Sequence, residues 1–195
     1  VVAEEVHRAG KLLMPSICFS TGAEHSDAFY LQKVDEILSC CGEQIILGIK
    51  NHSAVGSPMR IAGLVRAIRD RFPHLLVAYH GHNTDGNDVS RMVAAVNEGV
   101  KIVEVCDHGF GGMFSQAPAL SLIQILHDYG IPAPGLKIQP LIDASDMARR
   151  ERRLYERFET PYRGFDPTVK RHKLTGGAAS MPAIIMMPCR LMMVL

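Results

Sequence analysis

Four apolar runs recur along the chain, each followed by a segment whose apolar residues return every three or four positions. The runs at residues 12–20, 44–50, 75–82 and 101–107 read as buried strands. After the first, Tyr30, Val34, Ile37, Leu38 and Cys41 trace one helical face that stops at Gly42. Ile61, Leu64, Val65, Ile68 and Phe72 trace a second face over residues 58–72, with Pro58 suited to its first turn. Val89, Met92, Val93 and Val96 trace a third, and Gly99 is placed to supply its left-handed cap. A fourth helix is expected around residues 119–129, ahead of Gly130. Strands alternating with helices in this way predict an α/β fold with a parallel sheet.

A closed (β/α)8 barrel takes about 250 residues. Only four strand–helix units are visible in the 195 residues here, which leaves a small doubly wound sheet or half of a barrel. The pattern changes at Ile131, where "GIPAPGLKIQP" reads as a Pro/Gly-rich connection. "DASDMARRERRLYERFETPYRGFDP" then reads as a charged, helical stretch, followed by "VKRHKLTGGAASMP" and a Met-rich end. That end is shorter than the ~18 apolar residues a membrane helix needs. The chain is accordingly divided into residues 1–130, the strand–helix repeat, and residues 131–195, a helical extension.

Composition narrows the partners. The chain is 47% hydrophobic and 21% charged, enough apolar matter for one sizeable core. A net charge of +1 gives no electrostatic reason for binding nucleic acid or an acidic membrane. Cys18, Cys40, Cys41, Cys106 and Cys189 form no CxxC pair and no disulfide framework, which fits a reducing cytoplasm. Nothing at the N-terminus resembles a signal peptide, and a chain that opens on Val1 in a helical pattern is expected to begin inside a larger protein.

The candidate chemistry gathers at the ends of the predicted strands, where parallel sheets and barrels bind their ligands. Those ends read Ser20-Thr21-Gly22, Lys50-Asn51-His52, His80-Gly81-His82-Asn83 and Asp107-His108. Side chains two apart on a strand share a face, so His80 and His82 point the same way. Such a pair suits Zn, Mn, Co or Fe about equally, and it equally suits two hydrogen-bonded residues closing a strand. Lys50, a cation ending an apolar strand, is either part of that site or a lysine whose stem snorkels along a strand edge.

"LGIKNHSAVGSP", "YHGHNTDG" and "GGMFSQAPA" resemble, in order, the strand-end motifs IKDM(A)G, HTHDT(S)G and GMTSQPS of the biotin-dependent carboxyltransferases. That group includes pyruvate carboxylase, the oxaloacetate decarboxylase alpha subunit and the transcarboxylase metal-binding subunit. "RHKLTGG" is similar to their later HE(M/I)PGG segment, and residues 3–37 resemble the fifth barrel strand and its flanks. The resemblance runs from Val2 to about Met181 and implies the C-terminal half of a (β/α)8 TIM barrel with the start of a helical C-terminal extension.

The resemblance also implies roles. Lys50, as a carbamate, would ligate a divalent metal (Zn, Mn or Co) together with His80 and His82. Gly111, Gly112, Ser115 and Gln116 would help wall the biotin side, where the plain alternative for the glycines is an ordinary strand-to-helix turn. Ser180 would relay a proton between the methyl group of pyruvate and biotin. The implied reaction carries a carboxyl group between carboxybiotin and a 2-oxo acid, pyruvate or oxaloacetate. The implied partners are a biotin carboxyl carrier domain, further copies in a homo-oligomeric parent, and a membrane subunit if the parent is a decarboxylase.

Departures limit the expectation. Lys-Asp-Met has become Lys50-Asn51-His52, and Ala178-Ala179-Ser180-Met181 stands where relatives carry Gln-(Tyr/Leu)-Thr-Asn. The family's first four strands, with an Asp ligand and the Arg and Gln that hold pyruvate, are not in this chain, which is therefore expected to be inactive alone. Two other readings stay open. A lyase/synthase of the hydroxymethylglutaryl-CoA lyase or isopropylmalate synthase type also ends a strand with HxHN, as His82-Asn83 does here. A truncated barrel piece that only packs against a partner is the third.

Overall fold

The computed structural model describes residues 2–111, 114–131, 136–159 and 164–167. In chain order the elements are α1 (Val2–Arg8), β1 (Ser16–Cys18), α2 (Asp27–Cys41), β2 (Ile46–Asn51), α3 (Pro58–Arg71), β3 (Leu76–Gly81), α4 (Asp88–Asn97), β4 (Ile102–Glu104), α5 (Ala119–Asp128) and α6 (Ile138–Arg152), with a 3-10 turn at Arg153–Phe158. The strands form one parallel sheet in the order β1-β2-β3-β4, the α/β arrangement expected of four successive strand–helix units.

Local chemistry explains the helix starts. The Ser26 hydroxyl accepts the Phe29 N–H at 3.2 Å, and the Ser57 hydroxyl accepts the Arg60 N–H at 3.1 Å. Pro58 occupies the first turn of α3, where its missing N–H has no intrahelical partner to lose. Gly99, at φ +97°, turns the chain out of α4 into β4.

The outer strands are shorter than the apolar runs predict. β1 spans three residues because its ladder begins only after Pro15, which has no N–H to give; Leu13 makes a lone bridge to Ile45. β4 stops at Glu104 because the chain next pairs elsewhere: Cys106 donates to the Ala117 carbonyl and accepts from the Ala119 N–H. Asp107 and His108 are thus not at a strand end. The Asp107 carboxylate instead accepts the backbone N–H groups of Gly109 and Phe110 and the Ser145 hydroxyl, which ties α6 to the turn after β4.

Register separates the two faces of the sheet. Ile17, Ile49, Tyr79 and Val103 lie in one row across the strands, on the face that packs against the helices. There Val34, Ile61, Leu64, Val65, Ile68 and Met92 close the core, each fully buried. Burying an aliphatic side chain of this size stabilises the fold by about 1.5–3 kcal/mol. The neighbouring row on the other face is Cys18, Lys50, His80 and Glu104. An apolar row against the helices and a polar row opposite is what a strip of barrel wall presents: packing outside, chemistry inside.

Candidate metal centre

His80 and His82 stand where β3 leaves the sheet, on the same side, with ring centroids 5.5 Å apart. Gly81 between them is required by packing, since a Cβ there would lie 2.0 Å from the Asp88 carboxylate at the start of α4. Each imidazole is oriented through Nδ1. In His80 it meets the Glu104 carboxylate at 2.6 Å, the cross-strand neighbour in the polar row. In His82 it donates to the Phe114 carbonyl at 2.6 Å. With both Nδ1 atoms carrying the proton, both Nε2 atoms present lone pairs. They converge on the Gln116 amide nitrogen, 3.5 Å from His80 Nε2 and 3.4 Å from His82 Nε2.

A third imidazole completes the cluster. His52, two residues beyond Lys50, has its ring centroid 5.2 Å from that of His80 and 4.7 Å from that of His82. One ligand atom from each of the three histidines lies within 4.8 Å of the others. Burial, followed by electrostatic repulsion from His82, Lys50 and His80, pushes the His52 imidazole down from 6.5 to about 4. Burial likewise lowers His82. Imidazoles held through Nδ1 by a carboxylate and a carbonyl are the donor set that divalent metals use, so the residues present fit such an ion.

The loops below the cluster are fixed by a buried polar network. Asn51 donates to the Val55 carbonyl at 2.8 Å and to the Tyr79 hydroxyl at 3.2 Å, and its Oδ1 accepts the Val55 N–H at 3.1 Å. The Tyr79 hydroxyl in turn donates to Asp88 Oδ1 at 3.0 Å. Asn83 is turned away from the imidazoles: its Oδ1 accepts the Asp88 N–H at 3.0 Å and so opens α4, while its own N–H donates to the Ser115 carbonyl. Arg91, fully buried, joins Asp85 to the carbonyls of Ala54 and Gly56.

Asp88 titrates in an unusual range. Desolvation raises its carboxyl from 3.8 to about 7, against the pull of Arg91 and of the Tyr79 hydrogen bond. A folded pKa above the unfolded one means the native state holds a proton that the unfolded chain has released. Between pH ~4 and ~7 this group therefore lowers stability as pH rises, by up to about 4 kcal/mol in all. Asp88→Asn should remove that slope while keeping an acceptor for Tyr79. Thermal unfolding of both proteins from pH 4 to 8 checks it: the variant should gain on the parent as pH rises, and a constant difference would refute the assignment.

Of the residues marked out from sequence, Lys50, His80, His82, Ser115 and Gln116 come together at this end of the sheet. Lys50 is in register with His80 on the adjacent strand. Ser115 directs its hydroxyl to the Cys106 sulfur at 3.6 Å, and Gln116 faces the imidazoles. Gly112 and Ser180 lie outside the described residues. His52 and Glu104 are additions. The i, i+2 rule that pairs His80 with His82 also pairs Lys50 with His52, and that spacing is the signal for it.

Comparison with known proteins agrees with the architecture. The pyruvate carboxylase of Aspergillus niger is 29% identical over 177 residues, which is 88% of this chain and 15% of that protein. The 4-hydroxy-2-oxovalerate aldolase of Streptomyces griseus is 31% identical over 105 residues, 54% of this chain and 31% of the aldolase. Among solved structures, the carboxyl transferase domain of Rhizobium etli pyruvate carboxylase with pyruvate and biocytin superposes at a TM-score of 0.83 and 22% identity. That superposition covers 93% of this chain and 31% of the domain, so the four-stranded sheet corresponds to a segment of its fold. No described helix is long and apolar enough to cross a membrane. The HMGL-like family model matches residues 2–148, three quarters of the sequence, and the chain belongs to that family.

Proposed function

We propose that this chain is the second half of a carboxyltransferase barrel and the start of its C-terminal extension, carrying the metal side of a site that moves a carboxyl group between carboxybiotin and pyruvate or oxaloacetate. The observation that carries the reading is the convergence of His80 and His82 Nε2 beside Gln116, with Lys50 in register on the next strand. Lys50, as a carbamate, His80 and His82 would hold a divalent ion. Bound there, the ion would supply positive charge against the negative charge a 2-oxo acid develops as its methyl group loses a proton.

The chain's own residues do the rest of the positioning. Glu104 and the Phe114 carbonyl hold both imidazoles in the tautomer that leaves Nε2 free. Ser115 and Gln116, with Gly112, would line the approach of biotin, and Ser180 would pass the proton between the substrate methyl group and the cofactor. Biotin would arrive on a carrier domain, and the parent would be a cytoplasmic homo-oligomer. The chain spans about 15% of the length of the pyruvate carboxylases it matches, so turnover is assigned to the parent protein.

A second reading, aldol or Claisen chemistry of the lyase/synthase kind, is favoured by the aldolase relative and by His82-Asn83. Against it, the Asn83 side chain is spent on the N-terminus of α4. One assay separates the two. The full-length protein should catalyse biotin-dependent carboxyl exchange between oxaloacetate and pyruvate, and Ser180→Ala should abolish exchange while leaving metal content intact. Unchanged exchange in Ser180→Ala would remove Ser180 from the mechanism. Biotin-independent cleavage of a 4-hydroxy-2-oxo acid, with no exchange, would replace the first reading by the second.

A further inference from the structure

We propose that His52 is itself a metal ligand, so that His52, His80 and His82 form a three-imidazole face that selects a late first-row divalent ion such as Zn2+ or Co2+ over Mg2+ and Mn2+. The proposal rests on the metal-dependent reading of this site and changes its ligand set. A lysine, two histidines and an acidic residue from elsewhere would give a mixed oxygen and nitrogen site. Three imidazoles at the ends of β2 and β3 give a nitrogen face complete within this chain.

Position comes first. β2 ends at Asn51, and His52 follows at once, turned back over the strand ends so that its ring lies closer to His82 than His80 does. The turn is held by Asn51 through its bonds to Val55 and by Arg91 through the Ala54 and Gly56 carbonyls. His52 is thus carried on a clamped loop. Its approach to the other two rings is fixed by buried hydrogen bonds rather than by surface chance.

Distance comes next. The ligand atoms lie within 4.8 Å of one another. Imidazole nitrogens sharing one tetrahedral ion, with bonds of about 2.0–2.1 Å, are about 3.3 Å apart. From 4.8 Å to about 3.3 Å the atoms have at most about 1.5 Å to close, within the reach of ring rotation at χ2, which is broad for histidine.

Chemistry then fixes the preference. Neutral imidazoles favour zinc, copper, cobalt and nickel, whereas magnesium and manganese prefer carboxylate, carbonyl and water oxygens. The Glu104 carboxylate behind His80 makes that imidazole a better donor without itself offering oxygen to the ion. Lys50, in register with His80, stands beside this nitrogen face and as a carbamate would add negative charge to it.

Titration of the metal-stripped full-length protein with Co2+, followed by its visible ligand-field absorption and by Zn2+ competition, tests this directly. His80→Ala serves as the control for loss of the site. His52→Ala should weaken binding by at least about 100-fold, since even groups behind a ligand cost about 10–100-fold. Free imidazole should restore both affinity and spectrum, and Mg2+ in large excess should leave the spectrum unchanged. If His52→Ala binds like the parent while His80→Ala does not, His52 is no ligand and the two-histidine site stands. A loss that imidazole leaves unrepaired marks His52 as packing support and also overturns the assignment. Displacement by Mg2+ at comparable concentration overturns the selectivity. No uptake by the parent protein would sink the metal reading of the site as a whole.

Discussion

Replacing Arg91 by methionine is expected to cost about 3–5 kcal/mol of folding stability, the range found when one partner of a buried ion pair is removed. The guanidinium is fully buried and pairs with Asp85, whose side chain is nearly as inaccessible. It also donates from Nε to the Gly56 carbonyl at 2.8 Å and from a terminal nitrogen to the Ala54 carbonyl at 3.0 Å. One planar group thus neutralises a buried carboxylate and satisfies the loop between β2 and α3. Ala54 holds φ at +51°, a conformation few alanines adopt, and the hydrogen bond to its carbonyl helps keep it there.

Methionine matches much of the volume and supplies no donor. It leaves the buried Asp85 carboxylate without its counter-cation and two carbonyls without their hydrogen bonds. Lysine keeps the charge but cannot present the fork that reaches Asp85 and both carbonyls at once, so it should recover only part of the loss. Domains hold about 5–15 kcal/mol in all, so the methionine variant should unfold at far lower denaturant. Urea unfolding of parent, Arg91→Met and Arg91→Lys measures it. A methionine variant with an unchanged midpoint would show that the pair is energetically silent.

That pair also marks where sequence reasoning stops. The helical faces and the four strands are legible because apolar spacing of 3.6 and 2 follows directly from the geometry of each element. The shared face of His80 and His82 is legible for the same reason. Arg91 and Asp85 are not, because an arginine in a helix and an aspartate in a loop look like solvated surface until the loops close over them. β4 is overestimated because Cys106 pairs with residues 117–119, a contact no local pattern announces. The Glu104 partner of His80 needs cross-strand register, which the pattern of one strand cannot give. Asn83 looks like a site residue from its place after His82, and the structure uses it to start α4.

Arginine at position 50 is expected to empty the metal site and with it all carboxyl transfer by the parent enzyme. Lys50 lies in the polar row between Cys18 and His80, so whatever charge it carries faces the imidazole cluster. Two unit charges 4 Å apart near a protein surface interact by about 4 kcal/mol, and a divalent ion doubles that. A cationic side chain here repels the ion by that order, whereas the carbamate formed by CO2 on the lysine amine attracts it by a similar amount. The sign of one side chain therefore governs occupancy. Guanidinium stays protonated and cannot take up CO2, so Lys50→Arg fixes the repulsive sign. Lys50→Met removes the charge and leaves the imidazoles to bind alone, with intermediate affinity. Lys50→Glu supplies a carboxylate and should recover part of the loss without needing bicarbonate. Metal content after dialysis, measured across a range of bicarbonate concentrations, reads the series. Occupancy should climb with bicarbonate only in the parent, and rank Glu above Met above Arg among the variants. Full occupancy in Lys50→Arg, or a parent indifferent to bicarbonate, would show that Lys50 is not a ligand and that the histidines hold the ion without it.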